Sequence, residues 1–189
     1  MIEAERQMKV LNMMITAHSV LRDRYYRMSA IFENCLLVAA VILNALVFVD
    51  NKFITKFTMI AEDSQKLISG IASITVFTIS VVLLQVKWKA KAENHLKAAS
   101  QLFKLLQELR EILQLVDSNE KNIQLTEFSI KYAQISSTLT QIPERKFNAL
   151  KLIHYRKIEL SKLIDKHPGS ILLILKIRLF LSSFKEKRN

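Results

Sequence analysis

The feature that most constrains this chain is a run of 20 consecutive uncharged residues, Leu67 to Val86. As a helix rising about 1.5 Å per residue, the run would span about 30 Å, the thickness of the hydrocarbon core of a bilayer. A protein of 189 residues rarely encloses an apolar helix of this length on all sides. The run therefore predicts a transmembrane helix over residues 67–86, in preference to a helix buried in a protein core.

A second apolar segment lies nearer the N-terminus, where 16 uncharged residues separate Glu33 from Asp50. The segment is slightly short for a span, but Glu33 at the level of the lipid headgroups would lengthen it. The preceding residues are mostly polar, which is not typical of a cleaved signal peptide. We expect a transmembrane helix over 30–50, a short extracytoplasmic loop over 51–66, and a two-helix membrane hairpin.

Basic residues are distributed unevenly along the chain and indicate its orientation. Five lysines and arginines lie in residues 1–29, three in 51–66 and twenty in 87–189. The positive-inside rule predicts that both termini are cytoplasmic. Residues 1–29 would then form an N-terminal cytoplasmic helix and residues 87–189 a basic cytoplasmic helical domain. The only cysteine, Cys35, lies in the first predicted span, so no disulfide framework is expected.

After the second span, apolar residues recur at alternating spacings of four and three, which is a heptad pattern. The row consists of Trp88, Ala92, His95, Ala99, Leu102, Leu106, Leu109, Leu113 and Val116, and Phe103, Leu105 and Ile112 widen it. This pattern predicts that the second span continues as an unbroken helix to Val116. The row can pack inside a bundle, and it also offers a surface for oligomerisation.

Two further helices are predicted downstream. Asp117 to Asn122 would form a turn before a helix from about Ile123 to Thr140, and Pro143 would open a helix that continues to Lys166. The predicted fold class is an all-α membrane protein: a two-transmembrane hairpin whose second span continues into a cytoplasmic antiparallel helical bundle. The tail over 170–189 could pack in this bundle, dock on the inner leaflet or be covered by a partner, and we favour packing.

No motif for catalysis is present in the sequence: there is no glycine-rich phosphate loop, no paired cysteine and no metalloprotease signature. We therefore expect no enzyme, no catalytic residues, no cofactor and no small-molecule substrate. The four histidines, His18, His95, His154 and His167, are scattered along the chain. His95 occupies a heptad core position, so we expect it to pack in a core and not to bind a metal.

Polar residues inside the spans are the best site candidates, because a polar side chain in lipid must face protein or water. Glu33 and Asn44 share one face of the first span, and Ser69, Ser73 and Ser80 share a face of the second. In one interpretation Asn44 and the serines pack the spans together while Glu33 reaches the headgroups. In the other, several hairpins assemble and Glu33 with Asn44 line an aqueous pore, which requires a homo-oligomer.

A basic surface is a second candidate site. Lys151, Arg156, Lys157 and Lys162 lie on one predicted helix, close to Tyr155, and such a surface could contact nucleic acid. A solvated or lipid-facing helix is the commoner origin of this pattern, because no sequence-specific motif accompanies it.

Three features together resemble one known family. They are the segment "RDRYYRMSAIF" at Arg22 to Phe32, two close spans followed by a basic helix, and the block "IPERKFNALKLIHYRKIELSKLIDKHPG" at Ile142 to Gly169. The chain resembles the SLATT family, two-transmembrane effectors found beside nucleotide-signalling and reverse-transcriptase genes in bacterial defence islands. It looks closest to the branch associated with reverse transcriptases and retrons.

The resemblance implies an antiphage effector of the bacterial inner membrane that forms a pore or disrupts the bilayer, causing abortive infection. In a retron system, a reverse transcriptase and its RNA–DNA product would hold it silent. No site residue carries over from the family. Two alternatives remain: a non-conducting membrane-anchored helical scaffold that tethers a protein or nucleic acid, and a soluble basic nucleic-acid binder.

Overall fold

The protein is all-α in the computed structural model, which describes residues 2–48 and 62–185, and no strand occurs among these residues. Within these two described ranges six helices follow one another: α1 (Ile2–Phe48), α2 (Glu62–Val86), α3 (Trp88–Gln114), α4 (Ser118–Thr138), α5 (Glu144–Lys166) and α6 (Leu172–Lys185). The predicted all-α class is confirmed. Two helical stretches, one near the N-terminus and one beginning at Leu67, are long and apolar enough to cross a membrane.

The chain divides into two compact units. The histidine unit, named for its buried histidines, combines Met1–Val20 with His95–Asn189, and the apolar unit consists of Leu21–Asn94. Helices α1 and α3 each contribute residues to both units.

Helix α1 is continuous over 47 residues, so the predicted N-terminal helix and the first predicted span belong to one helix. No glycine or proline occurs within Ile2–Phe48, and either residue would weaken a helix interior. Glu3 and Glu5 lie in the first turn, where acidic side chains stabilise the helix dipole. Most of the loop predicted over 51–66 lies outside the described residues.

The prediction of an unbroken helix after the second span is wrong at one residue. Lys87 adopts a positive φ of 50°, so α2 ends at Val86 and α3 begins at Trp88. A side chain with a Cβ atom is strained in this left-handed region. Helix α3 also ends at Gln114, and Val116, the last residue of the predicted heptad row, is fully exposed.

The core of the histidine unit is built on the heptad row of α3. Leu102, Leu106 and Leu109 are at most 2% exposed and pack in one cluster with Leu11 of α1 and Phe128 of α4. The predicted packing role of this row is confirmed for these leucines, whereas Phe103, predicted to widen the row, is 46% exposed.

The burial of these leucines also bears on the predicted use of the row for oligomerisation. Leu102, Leu106 and Leu109 are already covered by helices of their own chain. The predicted use of the row for oligomerisation stays a prediction.

The observed bounds of α5 agree with the predicted bounds, whereas those of α4 differ from them. Helix α5 runs from Glu144, directly after Pro143, to Lys166, as predicted. Helix α4 begins at Ser118, within the predicted turn, because the Asp117 side chain accepts a hydrogen bond from the Asn119 backbone N–H at 2.8 Å. Such a cap satisfies a backbone donor at the helix start and allows an earlier beginning.

Candidate functional site

The polar site of the apolar unit is built around Glu33 on α1. One carboxylate oxygen, Oε1, accepts a hydrogen bond from the Ser29 hydroxyl at 2.6 Å, and the other, Oε2, accepts one from Lys89 Nζ of α3 at 2.8 Å. Ser29 is buried, whereas both side chains of the ion pair are about half exposed. Glu33 is thus neutralised by a lysine 56 positions later in the chain.

An aromatic pair lies beside this ion pair. The rings of Phe32 and Trp88 have centroids 4.8 Å apart and are tilted by 41°. Two consecutive residues of α1 therefore contact two consecutive residues of α3. The residues that open the first predicted span and those that follow the second are adjacent in the apolar unit.

The other candidates in the spans are not brought together with Glu33 by any contact that the described residues make. Asn44 is exposed and lies about 16 Å farther along α1. On α2, the Ser73 hydroxyl donates to the Ser69 carbonyl at 2.9 Å, and the Ser80 hydroxyl donates to the Val76 carbonyl at 2.8 Å. These hydroxyls are satisfied within their own helix, which is a common arrangement for serine in helices.

Large apolar side chains of both predicted spans are exposed. Leu37 of α1 is 66% exposed, and Phe77 and Leu84 of α2 are 70% and 77% exposed. None of the residues in the most apolar window of the second stretch is buried. The polar site thus lies at one end of a largely apolar exterior.

The histidine unit contains a buried pair of histidines. Nδ1 of His18 on α1 lies 2.9 Å from Nδ1 of His95 on α3, and the two residues are 0% and 3% exposed. A hydrogen bond between two ring nitrogens requires a proton on one of them and a lone pair on the other. The pair is therefore satisfied when both rings are neutral and in opposite tautomers.

One ring nitrogen of this pair makes no hydrogen bond among the described residues. His18 Nε2 is buried and has no hydrogen-bond partner among the described residues. If His18 donates from Nδ1, its Nε2 carries only a lone pair, so no N–H group is buried without an acceptor. Since unsatisfied donors are the rarer defect in proteins, we assign the shared proton to His18 Nδ1.

Burial favours the uncharged form of these rings. It lowers the pKa of His18 from the ordinary value of 6.5 to about 4, and the neighbouring charge of His95 adds to the effect. The pKa of His95 is lowered by burial and then by the positive charge of Lys146. Both directions follow from the cost of placing a charge in a poorly solvated site near other cations.

A third histidine connects α5 to α1. Nδ1 of His154 lies 3.0 Å from the Thr16 hydroxyl, and that hydroxyl donates its only proton to the Asn12 carbonyl at 2.9 Å. The Thr16 oxygen must therefore accept, so His154 carries its proton on Nδ1. Burial, followed by the charge of Lys157, lowers the pKa of His154.

Sequence reasoning treated these three histidines as scattered and missed their contacts. A signal was present in α1, where Ala4, Met8, Leu11, Ile15 and His18 follow the four-and-three spacing of the α3 row. These apolar residues of α1 lie in or against the core cluster. A histidine at a core position in each of two heptad rows indicates that the rows can meet at those histidines.

The predicted basic surface on α5 has three different environments. Lys162 is paired with Glu159 at 2.8 Å, and Lys151 lies 6.0 Å above the Tyr155 ring. Arg156 and Lys157 line an open groove of about 920 Å³ between α5 and α6. Arg156 and Lys157 are therefore the members of this basic surface that border the groove.

No protein-family model matches this chain, and no curated protein or solved structure matches it significantly. Among residues 2–48 and 62–185, no group of three or more histidine, cysteine, aspartate or glutamate side chains is arranged to hold a metal ion.

Proposed function

We propose that this protein is a two-transmembrane effector of a bacterial antiphage defence system that oligomerises in the inner membrane and permeabilises it. In this proposal both termini are cytoplasmic, as the distribution of basic residues indicates. The resemblance to the SLATT family supplies the biological setting.

The observation that carries the proposal is the exposure of the apolar side chains on α1 and α2. Leu37, Phe77 and Leu84 are each about two thirds or more exposed. Removing one such side chain from water contributes about 1.5–3 kcal/mol, so leaving a whole row of them in water would be very unfavourable. A bilayer covers them all at once, and it is the environment to which two apolar helices of this length are suited.

Two further sets of contacts support a membrane hairpin. The hydroxyls of Ser73, Thr75, Thr78 and Ser80 donate to carbonyls one turn earlier, so these groups need no water. The Phe32–Trp88 pair and the Glu33–Lys89 pair lie where the predicted spans would leave the hydrocarbon. Tryptophan and lysine are typical of that boundary.

Oligomerisation would use the spans themselves, because the heptad row of α3 is occupied within the chain. On α2, Ser69 and Ser73 have the spacing that allows close helix approach, and a Cβ atom added to Gly70 would contact nothing within 4 Å. Several hairpins joined in this way could enclose a path that one hairpin cannot. Glu33 and Asn44 remain the candidates to line it.

The test is expression of the full chain without a partner in bacteria, with a potential-sensitive dye as the readout. Induction should collapse the membrane potential and stop growth. Cells that stay polarised, while the protein is present in the membrane fraction, would contradict the proposal.

The role of Glu33 can be separated from its ion pair by two matched variants. Glu33→Gln removes the carboxylate charge, whereas Lys89→Met breaks the same ion pair and keeps that charge. If Glu33 lines the path, Glu33→Gln should slow depolarisation several-fold at equal membrane abundance, and Lys89→Met should not. Equal loss in both variants would favour a packing role for the pair.

A non-conducting scaffold is the second candidate, and the neutralisation of Glu33 by Lys89 favours it, because a paired carboxylate attracts few cations. A scaffold would reach the membrane and bind its partner without depolarising the cell. In the retron setting that partner would be a reverse transcriptase with its RNA–DNA product. Co-purification with such a partner, together with normal growth on expression alone, would select this candidate.

A further inference from the structure

The last helix, α6, exposes most of its apolar side chains. Leu173, Ile174, Ile177 and Leu181 are between 52% and 65% exposed, whereas Leu175 is 2% exposed. At about 100° per residue, the four exposed residues fall within an arc of about 100°, and Leu175 lies opposite that arc. Leu175 therefore packs against the protein, Leu172 near it on the wheel is 48% exposed, and the four-residue arc is a continuous apolar surface.

Positive charge borders this apolar face on both sides. On the same helical wheel Lys176 lies before Leu173 and Arg178 lies after Ile174, each about 40–60° from the arc. Both side chains are exposed, and Arg178 donates a hydrogen bond to His167 Nε2 at 3.3 Å. The sequence of α6 contains three basic residues and no acidic residue.

The groove between α5 and α6 extends the same chemistry. Its lining combines the apolar side chains of Leu152 and Ile153 with Arg156, Lys157 and Lys176. One acidic residue, Glu159, is part of the lining, and its carboxylate is paired with Lys162. The groove and the exposed face of α6 thus form one surface with an apolar floor and a cationic border, which we call the α6 surface.

We propose that the α6 surface docks on a bilayer that contains anionic phospholipids, with α6 lying in the plane of the headgroups. Exposed leucine and isoleucine side chains would enter the acyl region while Lys176 and Arg178 meet phosphate groups, which is the arrangement of interfacial amphipathic helices. A second copy is the weaker occupant, because it would bring the same positive border against this one. The docking does not depend on whether α1 and α2 form a pore.

The experiment uses the full chain with Cys35→Ser and a nitroxide label attached at Ile177→Cys. The protein is reconstituted in vesicles of phosphatidylcholine alone or mixed with phosphatidylglycerol. Electron paramagnetic resonance then measures collisions of the label with oxygen, which partitions into lipid, and with a nickel chelate, which stays in water. The oxygen-to-nickel ratio should rise several-fold in the anionic vesicles relative to the neutral ones.

Two controls isolate the α6 surface. A label at Ile130→Cys, which replaces an isoleucine of α4 that is 67% exposed, should stay accessible to nickel in both vesicles. Lys176→Glu with Arg178→Glu should abolish the rise at position 177, whereas Lys104→Glu with Arg110→Glu on α3, which changes the net charge equally, should leave it.

Three results would overturn the proposal. The first is a label at position 177 that is as accessible to nickel as the one at position 130 in anionic vesicles. The second is equal protection in neutral vesicles with dipolar broadening between labels, which would assign the surface to a second copy. The third is full protection in the Lys176→Glu, Arg178→Glu variant. Since none of these readouts measures permeability, they are independent of the pore test.

Discussion

His18 and His95 share one hydrogen bond between α1 and α3, with their Nδ1 atoms 2.9 Å apart in the interior of the histidine unit. The contact joins residues 77 positions apart in the chain. It exists only while one of the two facing nitrogens is unprotonated. The histidine unit is therefore held together in part by a contact that acid removes.

We expect the histidine unit to lose stability as the pH falls below about 6.5. The pKa of His18 is about 4 in the folded chain and near 6.5 in the unfolded chain. Between these values the unfolded state binds the proton first, so stability is fully present above pH 6.5 and is lost as the pH falls toward 4. His95 and His154, whose pKa values are lowered first by burial and then by the charges of Lys146 and Lys157, act in the same direction.

Thermal unfolding of the full chain in detergent, followed by circular dichroism at a series of pH values, checks this expectation. His167→Gln is the control, because it replaces an exposed histidine outside the buried pair. A midpoint that stays constant between neutral pH and pH about 5 would contradict the assignment of neutral buried rings.

Replacing only one histidine of the pair should lower the free energy of unfolding by more than half of what replacing both lowers it. His18→Leu leaves His95 Nδ1 without this partner, and an unsatisfied buried polar group costs about 1–3 kcal/mol. The double variant His18→Leu, His95→Leu should lose less than the sum of the single variants, because no nitrogen of the pair is then left. Denaturant titration of the four proteins gives the coupling free energy, and additive losses would show that the contact is not energetically significant.

Leu109 should be among the most sensitive positions of the core. It is 0% exposed within the cluster of α1, α3 and α4. Leu109→Ala should lower the free energy of unfolding by about 2–5 kcal/mol, since it removes buried methyl groups and leaves a cavity. Phe103→Ala on the same helix is the control and should cost about 1 kcal/mol or less, because Phe103 is 46% exposed. Similar losses in both variants would refute the packing of α3.

Lys87 should tolerate glycine better than the residues around it. Its φ of 50° is one that glycine adopts without strain, so Lys87→Gly should be neutral or stabilise the protein by up to about 1 kcal/mol. Gln107→Gly, in the exposed interior of α3, should instead destabilise by about 0.5–1 kcal/mol. Unfolding midpoints of both variants are the measurement, and a loss at Lys87 as large as that at Gln107 would argue against a left-handed break.

Much of the helical framework could be read from local pattern. The apolar run from Leu67 to Val86 and the start of α5 after Pro143 correspond to helices in the structure. The heptad row also identified which side of α3 is buried. These features are local, because helix periodicity and capping involve residues within a few positions of one another.

The contacts of the candidate sites could not be read in this way. The partners in these contacts are far apart in the chain: 56 positions separate Glu33 from Lys89, and 77 separate His18 from His95. The local sequence around each residue does not indicate which distant residue it contacts. The heptad row likewise allowed packing within a chain or between copies, and only the tertiary structure shows that Leu11 and Phe128 of the same chain pack against it.

By itself, then, the sequence determined two apolar helices, a strongly basic remainder and the buried face of α3, since each depends on composition or on spacing along one helix. The tertiary structure decided the left-handed residue at Lys87, the pairing of the histidines and the neutralisation of Glu33. The last two depend on which distant groups meet, and many packings of the same amphipathic helices satisfy the same local pattern.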